Sequence, residues 1–81
     1  MEQNKFYIDL DDKKKYLVTI HPYNDEKTVE LKGIDYDTKT QTLNIFYEEN
    51  GDLYRYVVRG VSENDFLYRI ENLKNTGYEY F

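Results

Sequence analysis

Residues 43–58, with the sequence LNIFYEENGDLYRYVV, decide the fold because they contain the strongest turn signal of the chain. Asn50-Gly51 is typical of a two-residue type I′ turn, which needs positive φ at both central positions. Residues that lie directly opposite each other in the resulting hairpin share one face. Counting outward from the turn pairs apolar or aromatic residues on one face: Tyr47 with Tyr54, Ile45 with Tyr56, and Leu43 with Val58. These residues therefore predict an antiparallel hairpin with one face toward a core.

The opposite face of this hairpin is mixed in character. Its predicted pairs are Glu48 with Leu53, Phe46 with Arg55, Asn44 with Val57, and Thr42 with Arg59. An exposed aromatic ring with arginine neighbours is typical of a hot spot in a protein interface. We therefore predict a partner-binding surface made of Phe46, Arg55, Val57 and Arg59. The alternative is that strands near the N-terminus cover this face.

The residues before the hairpin predict three more strands. Phe6, Ile8 and Leu10 alternate with polar or aromatic neighbours, and the same spacing recurs from Tyr16 to Ile20. Residues 11–15 are all charged, so they predict the turn of an N-terminal hairpin. A third strand follows over residues 29–36, and we expect a bulge at Gly33, where the apolar spacing slips by one residue.

A single helix is predicted after the last strand of the hairpin. Ser62 is a favourable N-cap, and Asp65 lies three residues further on. Gly77 is expected to end the helix in the left-handed conformation, and residues 78–81 to add an extended edge. The apolar stripe of the helix is Phe66, Ile70 and Leu73. The predicted fold class is therefore α+β: an antiparallel sheet of about five strands with one C-terminal helix packed on one face.

Composition restricts the classes of function. The chain has 81 residues, no Cys, one His and a formal net charge of −5. Its length predicts one domain, 1–81. No apolar stretch approaches the roughly 18 residues of a membrane span, and no leader sequence opens the chain, so we expect a cytoplasmic protein with no membrane contact. The acidic balance disfavours nucleic acid as a partner, since such proteins gain affinity from Lys and Arg.

The sequence also disfavours catalysis. His21 has no Cys or paired carboxylate around it that would complete a metal site. Ser62 is the only Ser and is accounted for as a helix cap, so a Ser-His triad has no nucleophile. There is no Gly-rich phosphate loop. We therefore predict no catalytic residues, no cofactor and no metal.

Residues 29–81 resemble the KTSC domain, a short family named after the C-terminal extension of some lysyl-tRNA synthetases. The resemblance rests on residues 33–37 (GIDYD), on Leu43-x-Ile45-x-Tyr47, and on Tyr54-Arg55-Tyr56. It implies a β-meander followed by a helix, with residues 1–28 as an added hairpin. RNA binding has been suggested for the family. The chain departs from its pattern at residues 60–62, where Gly-Val-Ser replaces the usual Pro before the helix, and it lacks a basic C-terminal end.

Two hypotheses of function follow from these features. The first is a non-catalytic protein-binding module, for which a phage-encoded inhibitor of a host defence complex is one concrete setting by analogy. Acidic side chains at two turns, predicted to be near each other, would then imitate phosphates toward a basic groove: Glu48, Glu49 and Asp52 at one turn, Asp35 and Asp37 at the other. A homodimer is another way to cover the second face of the sheet. The alternative function is RNA binding by Phe46, Arg55, Arg59 and the two tyrosines of the Tyr-x-Tyr motif.

Overall fold

The strands form one sheet, and a single helix packs against it. The computed structural model describes the backbone of residues 5–7 and, with their side chains, residues 10, 11 and 13–81. The strand order is β5-β4-β3-β2-β6, and β1 pairs with β3. All pairings are antiparallel except β2 with β6. The elements are β1 (Lys5–Tyr7), β2 (Leu17–Ile20), β3 (Lys27–Asp37), β4 (Thr42–Glu49), β5 (Asp52–Arg59), α1 (Glu63–Thr76) and β6 (Tyr78–Tyr80), with a short 3₁₀ turn at Pro22–Asn24. The predicted α+β class is confirmed.

The hairpin of β4 and β5 has the predicted register throughout. Asn50 and Gly51 form its turn with φ values of 55° and 85°, as a type I′ turn requires. Every predicted pair is present, from Glu49 with Asp52 at the turn to Thr42 with Arg59 at the far end. The bulge is also confirmed, because the register of β3 against β4 shifts between Leu31 and Gly33.

The prediction that the first two strands pair with each other in an N-terminal hairpin is wrong. β1 pairs with residues 35–37 of β3, and β2 pairs with residues 27–30 of the same strand. The physical reason is the length of β3, whose 11 residues offer one edge long enough for two short strands in succession. The partner of β2 in a hairpin is therefore β3. Ile8, which belonged to the predicted first strand, lies outside the described residues.

The helix begins and ends where the sequence predicts. The Ser62 hydroxyl oxygen accepts a hydrogen bond from the backbone N–H of Asp65 at 3.2 Å. Gly77 ends the helix with φ of 78°, and its backbone N–H donates to the carbonyl of Leu73. The buried stripe is Phe66, Ile70 and Leu73. The predicted extended tail is β6, which pairs in parallel with β2 and is the last strand on that side of the sheet.

The core lies between α1 and one face of the sheet. At its centre Tyr36 is fully buried and stacks on Phe66, with ring centroids 4.4 Å apart and an angle of 11° between the planes. The Tyr36 hydroxyl donates a hydrogen bond to the carbonyl of Val61, so the strand is tied to the segment that leads into the helix. No helix of the described residues is both long enough and apolar enough to cross a membrane.

Substitution of Tyr36 by Phe is expected to lower stability and to change its pH dependence. Loss of the hydroxyl leaves the Val61 carbonyl unpaired, which costs about 1–3 kcal/mol. Burial, followed by the nearby Glu63 charge, raises the pKa of Tyr36 above its ordinary value of 10.0. Above that value the unfolded chain releases the phenol proton while the folded chain keeps it, so the free energy of unfolding falls as pH rises past 10. Urea unfolding on both sides of this pH measures the effect.

The variant Tyr36→Phe should therefore lose less stability in alkali than the unchanged protein does. The matched control is Tyr68→Phe, because the Tyr68 side chain is 74% exposed. An alkaline loss of the same size in Tyr36→Phe and in the unchanged protein would contradict this expectation.

Candidate functional site

The sheet face opposite α1 carries the predicted partner-binding residues. We call it the open face and define it by Phe46, Leu53, Arg55, Val57 and Arg59. Cross-strand pairing places these side chains opposite to the buried set of Leu43, Ile45 and Tyr47. Both β1 and β2 lie within the sheet, so neither strand lies over this face. Among the described residues, the helix covers only the other side.

Phe46 is the centre of the open face. It is half-buried and pairs with Gly33 on one side and with Arg55 on the other. A side-chain carbon added at Gly33 would lie 3.7 Å from Cδ2 of the Phe46 ring, which is an ordinary van der Waals contact, so the ring lies close to the Gly33 backbone without requiring a glycine there. The bulge in β3 is what brings the glycine opposite the ring. The ring therefore lies close to the Gly33 backbone on one side and has Arg55 as its cross-strand neighbour on the other.

The two arginines of the open face are free of internal partners in the described part of the chain. Arg55 and Arg59 are both exposed, and neither forms a hydrogen bond or ion pair with its side chain. Arg69 shows the contrast, since its Nε lies 3.1 Å from Asp65. In a protein with a net charge of −5, two unpaired cations on one strand form a local positive surface.

The two predicted acidic turns are not near each other, which is a correction. Glu48, Glu49 and Asp52 lie where β4 turns into β5. Asp35 and Asp37 pair with the other half of β4, at Asn44 and Thr42. Five residues of extended strand separate Asn44 from Glu49, or about 17 Å at the usual rise per residue. The order of residues in the sequence does not give this distance along the strand.

Most of these acids have structural partners. Lys27 Nζ lies 3.0 Å from both carboxylate oxygens of Glu49, and this hydrogen bond raises the pKa of Lys27. Asn44 donates to Asp35 at 2.8 Å. Asp37 accepts hydrogen bonds from the backbone N–H groups of residues 39 and 40 in the turn after β3. Glu48 lies 3.9 Å from Lys32. These contacts stabilise turns and strand pairs. Fewer of the predicted acidic side chains are therefore free to contact a partner than the sequence indicates.

A cavity of about 450 Å³ lies on the helix side of β5, and sequence reasoning missed it. We call it the tyrosine pocket, because Tyr23, Tyr47, Tyr54 and Tyr56 line it. Tyr47 and Tyr54 stack with ring centroids 5.5 Å apart. Tyr23 is 98% exposed and has a left-handed backbone with φ of 54°, so the loop after β2 holds its ring away from the core.

The pocket exists because β5 is the end strand of the sheet. Tyr54 and Tyr56 were predicted to be core residues. Tyr56 is partly buried against the core, whereas Tyr54 remains 43% exposed. A side chain on an end strand has a neighbouring strand on one side only, and the sequence does not show which strand is last. In the sequence, the loop residues Pro22-Tyr23-Asn24 were the available signal for this pocket.

The residues predicted to bind RNA do not share one surface. Phe46, Arg55 and Arg59 lie on the open face, and Tyr54 and Tyr56 lie on the helix side. A base-stacking platform needs aromatic rings and cations that a strand of nucleic acid can reach together. The sheet separates these two groups of side chains.

Within the described residues, no group of His, Cys, Asp or Glu is arranged to hold a metal ion. In comparisons with known proteins, no family model matches the chain, and no curated protein or solved structure matches it at a significant level. The resemblance to the KTSC domain stays a prediction from the residues quoted above.

Proposed function

We propose that this chain is a cytoplasmic, non-catalytic protein-binding module and that the open face is its contact surface. The observation that carries the proposal is a half-buried Phe46 beside Arg55 and Arg59, on a sheet face that no described element covers. Neither arginine has a partner among the described residues. Aromatic residues and arginine are enriched at the centres of protein interfaces. Such a surface loses exposed apolar area and gains charge partners when another protein covers it.

The open face supports this function better than the acidic turns do. Glu49 is already bonded to Lys27, and Asp35 to Asn44, so a partner would have to compete with these contacts. The arginines have no such contact within the described chain. An inhibitor that blocks a partner surface, as in the setting of a phage-encoded protein against a host defence complex, is consistent with a small module of this kind.

A paired substitution on the open face tests the proposal. Phe46→Ala with Arg55→Ala removes the central ring and its neighbouring cation, and should abolish capture of the partner from a nuclease-treated host lysate. Circular dichroism should show a folded protein, because both side chains lie outside the core. Mass spectrometry of the captured proteins identifies the partner.

The matched control is Tyr68→Ala with Lys74→Ala, which removes one exposed aromatic residue and one exposed cation from α1. It should capture the same protein as the unchanged chain. Equal capture by both variants would contradict the proposal. A capture signal that is present in an untreated lysate and absent after nuclease treatment would instead favour RNA binding, which was the alternative from the sequence.

A further inference from the structure

The backbone groups on the outer edge of β5 have no strand partner among the described residues. β5 is the end of the strand order, so no described strand lies beyond it. In a two-residue hairpin the pair that flanks the turn, Glu49 with Asp52, exchanges both backbone hydrogen bonds. The pairs then alternate along the strand, so every second residue of β5 directs its N–H and C=O away from β4. These residues are Leu53, Arg55, Val57 and Arg59.

This edge lacks three of the features that usually block strand addition, and its two arginines, charged side chains of the kind that also protect an edge, repel only a strand of like charge. Short edge strands, prolines and bulges are common protective devices. β5 has eight residues, contains no Pro, and keeps a continuous register with β4 from one end to the other. Its charges are all positive beyond Asp52. The edge can therefore pair with an added strand, and its arginines favour a strand with acidic side chains.

Both sides of the edge offer recognition of side chains. On the open face an added strand would lie beside Arg55 and Arg59. On the helix side it would lie beside the tyrosine pocket, which reaches the edge at Arg55 and Val57. Leu53 is 66% exposed at the start of the strand and extends the apolar surface. Successive side chains of an added strand point to these two sides in turn.

We propose that β5 binds an extended segment of a partner protein as an additional strand of the sheet. The segment carries acidic side chains at alternate positions, opposite Arg55 and Arg59, and a bulky apolar side chain between them that enters the tyrosine pocket. Backbone hydrogen bonds supply affinity in this kind of recognition, and pockets for alternate side chains supply specificity. The proposal rests on the proposed function and names the chemistry of the partner.

A second copy of the chain fits this edge less well than an acidic segment does. Two-fold antiparallel pairing of β5 with itself, centred on residue 55, places Arg55 directly opposite its own equivalent. Centring on residue 57 places Arg55 opposite Arg59. Like charges directly opposite each other are destabilising. Centring on residue 56 still leaves the arginines diagonal to each other, without an acidic partner.

The experiment uses the full chain and a synthetic probe, the capped peptide Thr-Glu-Phe-Glu-Phe-Glu-Thr. The control peptide has Lys in place of each Glu. Backbone amide exchange is followed by NMR with each peptide. With the acidic peptide at ten times its Kd, exchange at residues 53, 55, 57 and 59 should slow about tenfold. Amides of residues 54, 56 and 58, which already bond to β4, should change little, and the lysine peptide should have no effect.

Two variants test the geometry and the charge. Val57→Pro removes one outward N–H and should lower affinity for the acidic peptide, whereas Val57→Thr keeps it and should bind. Pro is tolerated at an edge position whose N–H faces solvent. Arg55→Glu with Arg59→Glu should reverse the preference, so that the lysine peptide binds and the acidic one does not. This charge exchange remains a test if Val57→Pro does not fold.

Three results would overturn the proposal. The first is that neither peptide changes the exchange rate of the four outward amides. Another is protection of these amides in the free protein together with a dimer by light scattering, since a second copy would then occupy the edge. The third is peptide binding confined to Phe46 and Asn44, with no protection of β5; this result would leave the proposed function standing. Failure of the proposed function itself is recognised separately, by lysate capture that does not depend on the open face.

Discussion

Replacing Phe66 by Ala is expected to unfold about half of the protein or more at room temperature. The Phe66 side chain is fully buried and stacks on Tyr36, with 4.4 Å between ring centroids. Removal of a buried Phe ring costs about 3–5 kcal/mol through lost burial and the cavity that remains. A core of this size supplies roughly 3–5 kcal/mol of net stability, and the chain has no disulfide to add to it. The loss is therefore as large as the whole stability.

Urea unfolding followed by circular dichroism measures this effect. The matched control is Tyr68→Ala, two residues further along the same helix, where the side chain is 74% exposed. It should unfold at nearly the same urea concentration as the unchanged protein. Phe66→Leu should lie between the two. A cooperative transition of unchanged midpoint in Phe66→Ala would mean that α1 does not hold the sheet together in the way its packing indicates.

Features set by neighbouring residues in the chain could be predicted from the sequence. The turn at Asn50-Gly51 fixes the register of β4 and β5, since one residue of slip would move every side chain to the other face. Ser62 and Gly77 fix the ends of the helix, because each caps it through a hydrogen bond to a residue three or four positions away. The open face could also be predicted, because it follows from the same register that defines the core face.

Features that depend on distant parts of the chain could not be predicted in this way. Alternation in residues 6–10 indicates a strand, but it does not say which edge the strand joins, and β1 joins β3. The parallel pairing of β2 with β6 joins Leu17 to Tyr78, far apart in sequence. The tyrosine pocket needs the loop after β2 to meet the end of β5, which no local pattern encodes. The separation of Asp35 from Glu48 depends on strand length in the same way.

Charge reversal at Arg55 and Arg59 is expected to have the largest effect on binding of the captured partner. Arg55→Glu with Arg59→Glu places two negative charges where the proposed acidic segment lies. Like charges brought together at an interface cost several kcal/mol. A loss of about 2.7 kcal/mol already corresponds to roughly 100-fold in Kd. We therefore expect the Kd for the partner to rise at least about 100-fold, as surface plasmon resonance would measure.

The control has to distinguish the effect of charge at β5 from the effect of the net charge of the protein. Lys13→Glu with Lys14→Glu changes the formal net charge by the same amount, from −5 to −9, because each of two substitutions removes one positive and adds one negative charge. Lys14 lies beside Gly77 at the β6 side of the sheet, away from β5. This variant should bind within a few-fold of the unchanged protein. Equal losses in both variants would mean that long-range repulsion rather than contact at β5 controls binding.

Reversal of the acidic turn distinguishes the two charge surfaces of the molecule. Glu48→Lys with Asp52→Lys changes the side chains that would imitate phosphates, and leaves the Lys27–Glu49 pair in place. If the partner contacts β5 through acidic side chains, this change should leave its Kd within a few-fold or improve it. If a basic groove of the partner holds the turn, the same change should abolish binding while the arginine reversal is tolerated. The two pairs of variants therefore give opposite patterns, and a single partner cannot satisfy both.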